Sequence, residues 1–134
     1  MLKKTEYFCV FLSGSIIYNL IELAWRGYTH WSMSIAGGVC MLLLHAINER
    51  TAGMRKRAKC FIGAGVITAV EFAAGVVVNI LFRLDVWDYS ELPGNILGQI
   101  CPYFTLLWLA LTVPAYLLSD LSHKVFKKIA PKVT

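Results

Sequence analysis

Four long apolar runs, separated by short clusters of charge, constrain the fold of this chain more than any other feature. They cover about residues 7–25, 31–48, 60–82 and 96–119. Each is near the ~20 residues that an α-helix needs to cross ~30 Å of hydrocarbon. A water-soluble fold is excluded because 57% of the 134 residues are hydrophobic and only 16% are charged, and so small a particle cannot bury them. The sequence predicts an all-α polytopic membrane protein, a single domain over residues 1–134 with a bundle of four transmembrane helices.

Basic residues are distributed unevenly between the two sides of this predicted bundle. One side holds eleven of them, namely Lys3, Lys4, Arg50, Arg55, Lys56, Arg57, Lys59, Lys124, Lys127, Lys128 and Lys132. The opposite loops hold only Arg26 and Arg83. Because cytoplasmic segments are enriched in Lys and Arg, we expect both termini in the cytoplasm. The lipid bilayer is then the expected partner of this charge, and nucleic acid is not, because no soluble binding surface accompanies it.

The four cysteines give no sign of a metal or redox centre. One lies in each apolar run, at Cys9, Cys40, Cys60 and Cys101, without C-x-x-C spacing. Buried free thiols are the ordinary interpretation of such a pattern. We therefore expect no metal and no cofactor.

Each apolar run carries one stripe of polar or small residues at steps of three or four, which places them on one helix face. The stripes are Ser15, Tyr18, Asn19, Glu22 and Arg26; Ser34, Gly38, Met41, His45 and Asn48; Thr68, Glu71, Gly75 and Asn79; and Thr105, Trp108, Thr112 and Tyr116. They predict a partly polar interior. Two interpretations stay open: a path for a substrate or ion, or contacts that hold the helices together.

Glu71 is the most costly of these residues, because it lies near the middle of the third run. A carboxylate at that depth costs several kcal/mol if it is charged and unpaired. It must be neutral, paired or facing water, and His45 is a possible partner nearer the cytoplasmic end. Our hypothesis is a role in proton or cation handling. The alternative is a protonated carboxyl group hydrogen-bonded to Asn79, Thr68 or a neighbouring helix.

Further candidates cluster at the predicted outer mouth. Glu22 and Arg26 are four residues apart, which favours an intrahelical ion pair. The loop after the third run carries three acids, Asp85, Asp88 and Glu91, and ends in a Pro93-Gly94 turn signal followed by Asn95, a predicted cap of the fourth helix. This loop predicts either an acidic vestibule that attracts cations or solvated acids. The candidate path residues are Glu22, Arg26, His30, Glu71, Asn79, Asp88, Tyr89 and Asn95.

Two motifs carry a family resemblance. Residues 22–33 read ELAWRGYTHWSM, with Gly37-Gly38 and Asn48-Glu49 after them. The second motif comprises Glu71-Phe72, Gly75, Asn79, Trp87-Asp88-Tyr89-Ser90, Pro93, Asn95, Gly98 and Gln99. Over about residues 14–120 the chain resembles the Putative ABC-transporter type IV family, small four-helix membrane proteins of Gram-positive bacteria that are also described as ABC transporter permeases.

The resemblance implies a transport component in a bacterial plasma membrane. No G-x-x-x-x-G-K-[ST] nucleotide-binding motif occurs in the chain, so ABC-type transport would require a separate ATPase subunit as a partner, together with homo-oligomerisation. Two other classes stay open. One is an accessory subunit that stabilises a larger complex. The other is an intramembrane enzyme acting on lipid, which the sequence disfavours because it shows no nucleophile pair and no metal-ligand spacing.

Overall fold

The computed structural model describes residues 2–133, with side chains for residues 3–129. Met1 and Thr134, the limits of the predicted domain, and the Lys132 side chain lie outside the described residues. Residues 2–133 form four α-helices, α1 (Leu2–Arg26), α2 (Trp31–Arg50), α3 (Lys56–Gly75) and α4 (Pro102–Val133), and a π-helical segment, Val76–Leu81, extends α3. All four helices are long and apolar enough to cross a membrane. The predicted all-α polytopic membrane protein is confirmed.

Helix α1 packs against α2 through glycines that let the two backbones approach closely. A Cβ atom at Gly14 would lie 2.9 Å from the Gly37 carbonyl oxygen and would overlap the side chain of Met41. Nearby, the Ser15 hydroxyl donates to the Ser34 carbonyl oxygen at 2.7 Å. Ser15, Ser34 and Met41 are stripe residues, and they act here as contacts between helices.

Helix α2 packs against the other three helices, and α3 packs against α4. The α3–α4 contact is polar at two depths. The hydroxyl groups of Thr68 and Thr105 lie 3.1 Å apart, and the Tyr116 hydroxyl donates to the Lys59 carbonyl oxygen at 2.7 Å. The outward faces of the helices are apolar, with more than half of the surface of Phe8, Phe61, Leu106 and Leu117 exposed, as expected for side chains that face lipid.

The loop between the π-helical segment and α4 is longer than the sequence predicts, because α4 begins at Pro102 instead of residue 96. Leu97 and Gly98 adopt positive φ angles of 54° and 74°, which a right-handed helix cannot contain. Asn95 accepts a hydrogen bond from the Gly98 amide at 3.1 Å. The prediction that Asn95 caps the fourth helix is therefore wrong: its side chain closes a turn, and Pro102 occupies the first helical turn, where its missing N–H is harmless.

Candidate functional site

A cavity of about 280 Å³ lies between the helices. Side chains from all four helices and Trp87 of the long loop form its wall, and most are aliphatic or aromatic, among them Ile17, Met33, Met41, Val70 and Leu111. Glu71 is the one charged side chain among the described residues that line it. Such a wall fits an apolar molecule with a single polar or positive group. It is poorly suited to a hydrated ion, which needs several polar contacts.

Glu71 is held on this wall by two neutral donors, and only 7% of its surface is exposed. Oε1 accepts from Trp108 Nε1 at 3.1 Å, and Oε2 accepts from the Tyr89 hydroxyl at 3.1 Å. Within residues 3–129 no Lys, Arg or His side chain forms a salt bridge with it. The suggestion that His45 pairs with Glu71 is wrong, because His45 pairs with Glu6, at the end of α2 away from the long loop.

Tyr89 reaches Glu71 from the long loop and is positioned by an aromatic contact. Its ring stacks on Phe104 of α4, with centroids 4.5 Å apart and planes 9° from parallel. Burial, and after it the nearby Glu71 carboxylate, raises the pKa of the Tyr89 hydroxyl. Tyr89 therefore stays protonated at neutral pH and acts as a hydrogen-bond donor to Glu71.

Asn79 connects the π-helical segment to the long loop. Its Oδ1 accepts from the Val86 amide at 2.7 Å, and its Nδ2 donates to Gln99 Oε1 at 2.8 Å. Gln99 in turn accepts from Trp87 Nε1 through its carbonyl oxygen at 3.0 Å. A Cβ atom at Gly75 would lie 2.5 Å from Gln99 Oε1, so glycine allows the loop to lie directly on α3.

Glu22 and Arg26 form the predicted ion pair, which is confirmed, with Arg26 Nε 2.6 Å from Glu22 Oε2. The two groups are close but poorly aligned, since neither atom meets hydrogen-bond geometry. Arg26 Nη1 donates to the Val86 carbonyl oxygen at 2.9 Å, which ties the end of α1 to the long loop. Nη2 is buried without a hydrogen-bond partner in the described part of the chain.

The other three candidates stabilise turns and helix ends. His30 Nδ1 accepts from the Ser32 amide at 3.2 Å and so caps α2. Asp88 accepts from the amide and the hydroxyl of Ser90, and these hydrogen bonds hold the pKa of the exposed Asp88 carboxyl below its usual value. Asn95 Nδ2 donates to the Leu92 carbonyl oxygen at 2.8 Å. Of the eight candidates, Glu71 alone lines the cavity, and Tyr89 is joined to it by its hydrogen bond to Glu71. The wall does not include Glu22, Arg26, His30, Asn79, Asp88 or Asn95.

Sequence reasoning did not select the two tryptophans at the cavity as site residues. Trp108 lies on the polar stripe of the fourth run, three residues after Thr105. This spacing is the sequence feature that could have identified it as a site residue. Trp87 belongs to the loop, where its aromatic ring suits the membrane interface, and it is part of the second family motif. No sequence pattern predicts the cavity, because it is a space between aliphatic and aromatic side chains that are common in any membrane helix.

Four membrane-spanning helices around an interior cavity define a polytopic membrane protein with room for a small molecule. Residues 36–134 match the model of the Putative ABC-transporter type IV family. The chain belongs to that family, which confirms the resemblance; the matched range includes the second motif, and the first motif at residues 22–33 lies before it. Comparison with curated proteins and with solved structures finds no match. Family and fold together support a component of membrane transport.

Proposed function

We propose that this protein is a permease-like membrane subunit that binds an apolar organic cation in the interior cavity, with Glu71 as its counter-charge. The observation that carries the proposal is the lone carboxyl group on an otherwise uncharged wall. The other candidate residues take supporting roles. Tyr89 orients Glu71, Asn79 anchors the loop, and Glu22 and Arg26 fasten that loop to α1.

The Glu71 carboxyl group has no partner of opposite charge among residues 3–129. A carboxylate at membrane depth is costly unless a partner compensates its charge, and its two donors, Trp108 and Tyr89, are neutral. A bound cation supplies the missing charge. The rings of Trp87 and Trp108 line the same cavity and offer cation–π contacts of ~0.5–2 kcal/mol. The aliphatic wall accepts the remainder of such a ligand.

Transport by this subunit requires other components. We propose that it lies in a bacterial plasma membrane with both termini in the cytoplasm, where a separate ATPase supplies the energy and further copies of the chain complete the pathway. The basic connection between α2 and α3 lies on that side and includes Arg55 at its end. Family membership supports the ATPase, because the chain has no nucleotide-binding motif of its own.

The test compares two ligands that differ by one atom. Phenyltrimethylammonium carries a quaternary nitrogen where neutral tert-butylbenzene carries carbon, so their shapes match and their charges do not. Binding is followed by tryptophan fluorescence of the protein in lipid nanodiscs, with empty nanodiscs to correct for partition into lipid. We expect the cation to bind at least about tenfold more tightly than the isostere, equivalent to about 1.4 kcal/mol.

The variant Glu71→Gln isolates the charge. Glutamine keeps the shape of the side chain and an oxygen that can accept from Trp108, so we expect a folded protein that binds both ligands equally. Glu91→Gln is the matched control, because it removes a carboxyl group from the exposed part of the loop and should leave the preference intact. If wild type does not distinguish the two ligands, or binds neither, the proposal is wrong and an accessory role within a larger complex is favoured.

A further inference from the structure

A second cluster of polar side chains lies at the opposite end of the bundle, near the connection between α2 and α3. It combines Glu6 of α1, His45 and Glu49 of α2 and His123 of α4. One potential ligand atom from each residue lies within 4.8 Å of all the others. The cavity is not involved, since none of the four residues lines it. Two imidazoles and two carboxylates from three helices thus converge on one point.

The distances within the cluster are close to those between the ligands of a single metal ion. Glu6 Oε1 lies 2.9 Å from His45 Nε2 and 2.8 Å from His123 Nδ1. Glu49 Oε1 lies 3.7 Å from His45 Nε2. In a tetrahedral site with bonds of ~2.0–2.1 Å, neighbouring ligand atoms are about 3.3–3.4 Å apart. The three measured distances differ from this spacing by up to about half an ångström, and the widest separation in the cluster is at most 4.8 Å, so side-chain shifts of up to about 1.5 Å convert the cluster into a coordination shell.

We propose that Glu6, His45, Glu49 and His123 form a binding site for a divalent transition metal of the zinc type. Imidazole nitrogen favours Zn²⁺ and its neighbours in the first transition series over Mg²⁺ and Ca²⁺, and four ligands of mixed N and O type suit the tetrahedral geometry of Zn²⁺. This departs from our expectation of no metal, which rested on cysteine spacing and on motifs local in sequence.

The surroundings of His45 support this role. Its Nδ1 lies 2.7 Å from the Ser119 hydroxyl oxygen, and both residues are fully buried. When Ser119 accepts the Nδ1 proton, Nε2 is left with a lone pair for the metal, which is the arrangement that orients metal-binding histidines. Asn48 fixes Ser119 by donating to its hydroxyl oxygen at 2.9 Å. The His45 and His123 rings stack with centroids 4.2 Å apart, so each limits the rotation of the other.

The carboxylates are oriented as well. The Tyr7 hydroxyl donates to Glu49 Oε2 at 2.7 Å, which leaves Oε1 facing the histidines. Lys3 contacts the same Oε1 and lies 3.9 Å from Glu6 Oε2, so its ammonium group competes for the place of a metal ion. The Lys3 side chain is 58% exposed and can leave for water at little cost. Removal of the Lys3 charge should therefore tighten metal binding.

The experiment uses the full chain in lipid nanodiscs after chelator treatment. Co²⁺ is titrated in and followed by its visible absorption, which reports four-coordinate geometry, and Zn²⁺ is then added to displace it. We expect one equivalent of Co²⁺ per chain and its displacement by one equivalent of Zn²⁺. Mg²⁺ in excess should not displace it.

Variants decide which residues bind the metal. His123 is 32% exposed in its side chain, so His123→Ala should fold, and we expect it to lose at least about 100-fold in affinity. Ser119→Ala should lose about 10–100-fold, as is usual for partners of a metal-binding histidine, and Lys3→Gln should bind more tightly. His30→Ala is the matched control, because it removes the histidine at the distant end of α2. No Co²⁺ binding by wild type, or equal affinity in His123→Ala and His30→Ala, would show that the cluster is only an ion-pair network.

Discussion

Asn79 is the candidate residue whose two possible roles, lining a transport path or anchoring the long loop, are most easily distinguished by experiment. Its side-chain amide makes two short hydrogen bonds to the loop, with the Val86 amide and Gln99 Oε1, and a long one of 3.5 Å from the Trp87 amide. Val86 and Gln99 are both buried, so water cannot easily replace the lost partners. At a net ~1 kcal/mol for each bond, Asn79→Ala should weaken the closed loop by about 2 kcal/mol. Local opening should then become roughly 30-fold more frequent.

Hydrogen exchange followed by mass spectrometry measures this opening directly. We expect amides of residues 83–99 to exchange roughly 30-fold faster in Asn79→Ala, while amides of α2 exchange as in wild type and serve as an internal reference. Thr68→Ala is the control variant, because it removes one interhelical hydrogen bond of α3 without touching the loop. Unchanged loop exchange together with a loss of cation binding would refute the anchoring role and return Asn79 to the path.

Two further predictions concern packing and orientation. Gly14→Ala places a methyl group against Met41 and the α2 backbone and should lower the stability by about 1–3 kcal/mol. Gly65→Ala on the exposed face of α3 meets nothing within 4 Å and should be neutral or stabilising. Thermal unfolding in one detergent compares the two variants, and equal destabilisation would contradict the close α1–α2 contact. In a chain without its native cysteines, Gly53→Cys should resist a membrane-impermeant thiol reagent in intact cells while Glu91→Cys reacts; the reverse pattern would overturn the proposed orientation.

Features that depend on local sequence were predictable. The four helices follow from the length and apolarity of the runs, and the Glu22–Arg26 pair follows from a spacing of four within one helix. The fourth helix begins later than predicted because Leu97 adopts a positive φ of 54°. Leucine is not a residue type that predicts a positive φ. The hydrogen bonds of Asn95 and its neighbours impose this conformation.

The partners of buried charged residues were not predictable, because they depend on how helices rotate against one another. The sequence suggests His45 as a partner for Glu71, but in the structure His45 contacts Glu6 and Glu49 instead. Glu6 and His123 lie near opposite ends of the chain, so no motif of fixed spacing joins them. Only the packing of α1, α2 and α4 at one end of the bundle brings them within hydrogen-bond distance.

The polar stripes and the cavity have different roles in this bundle. Most stripe residues are used between helices, as Ser15 is with α2 and Thr68 with α4, and this leaves a cavity wall with one carboxyl group. The proposed metal cluster and this cavity share α4, which carries His123 and Trp108 on either side of Pro114. Proline has no N–H, so the helix loses one backbone hydrogen bond there and bends more easily. Because Pro114 also lines the cavity, a bend of α4 at this residue would move the cavity wall relative to the His123 end of the helix.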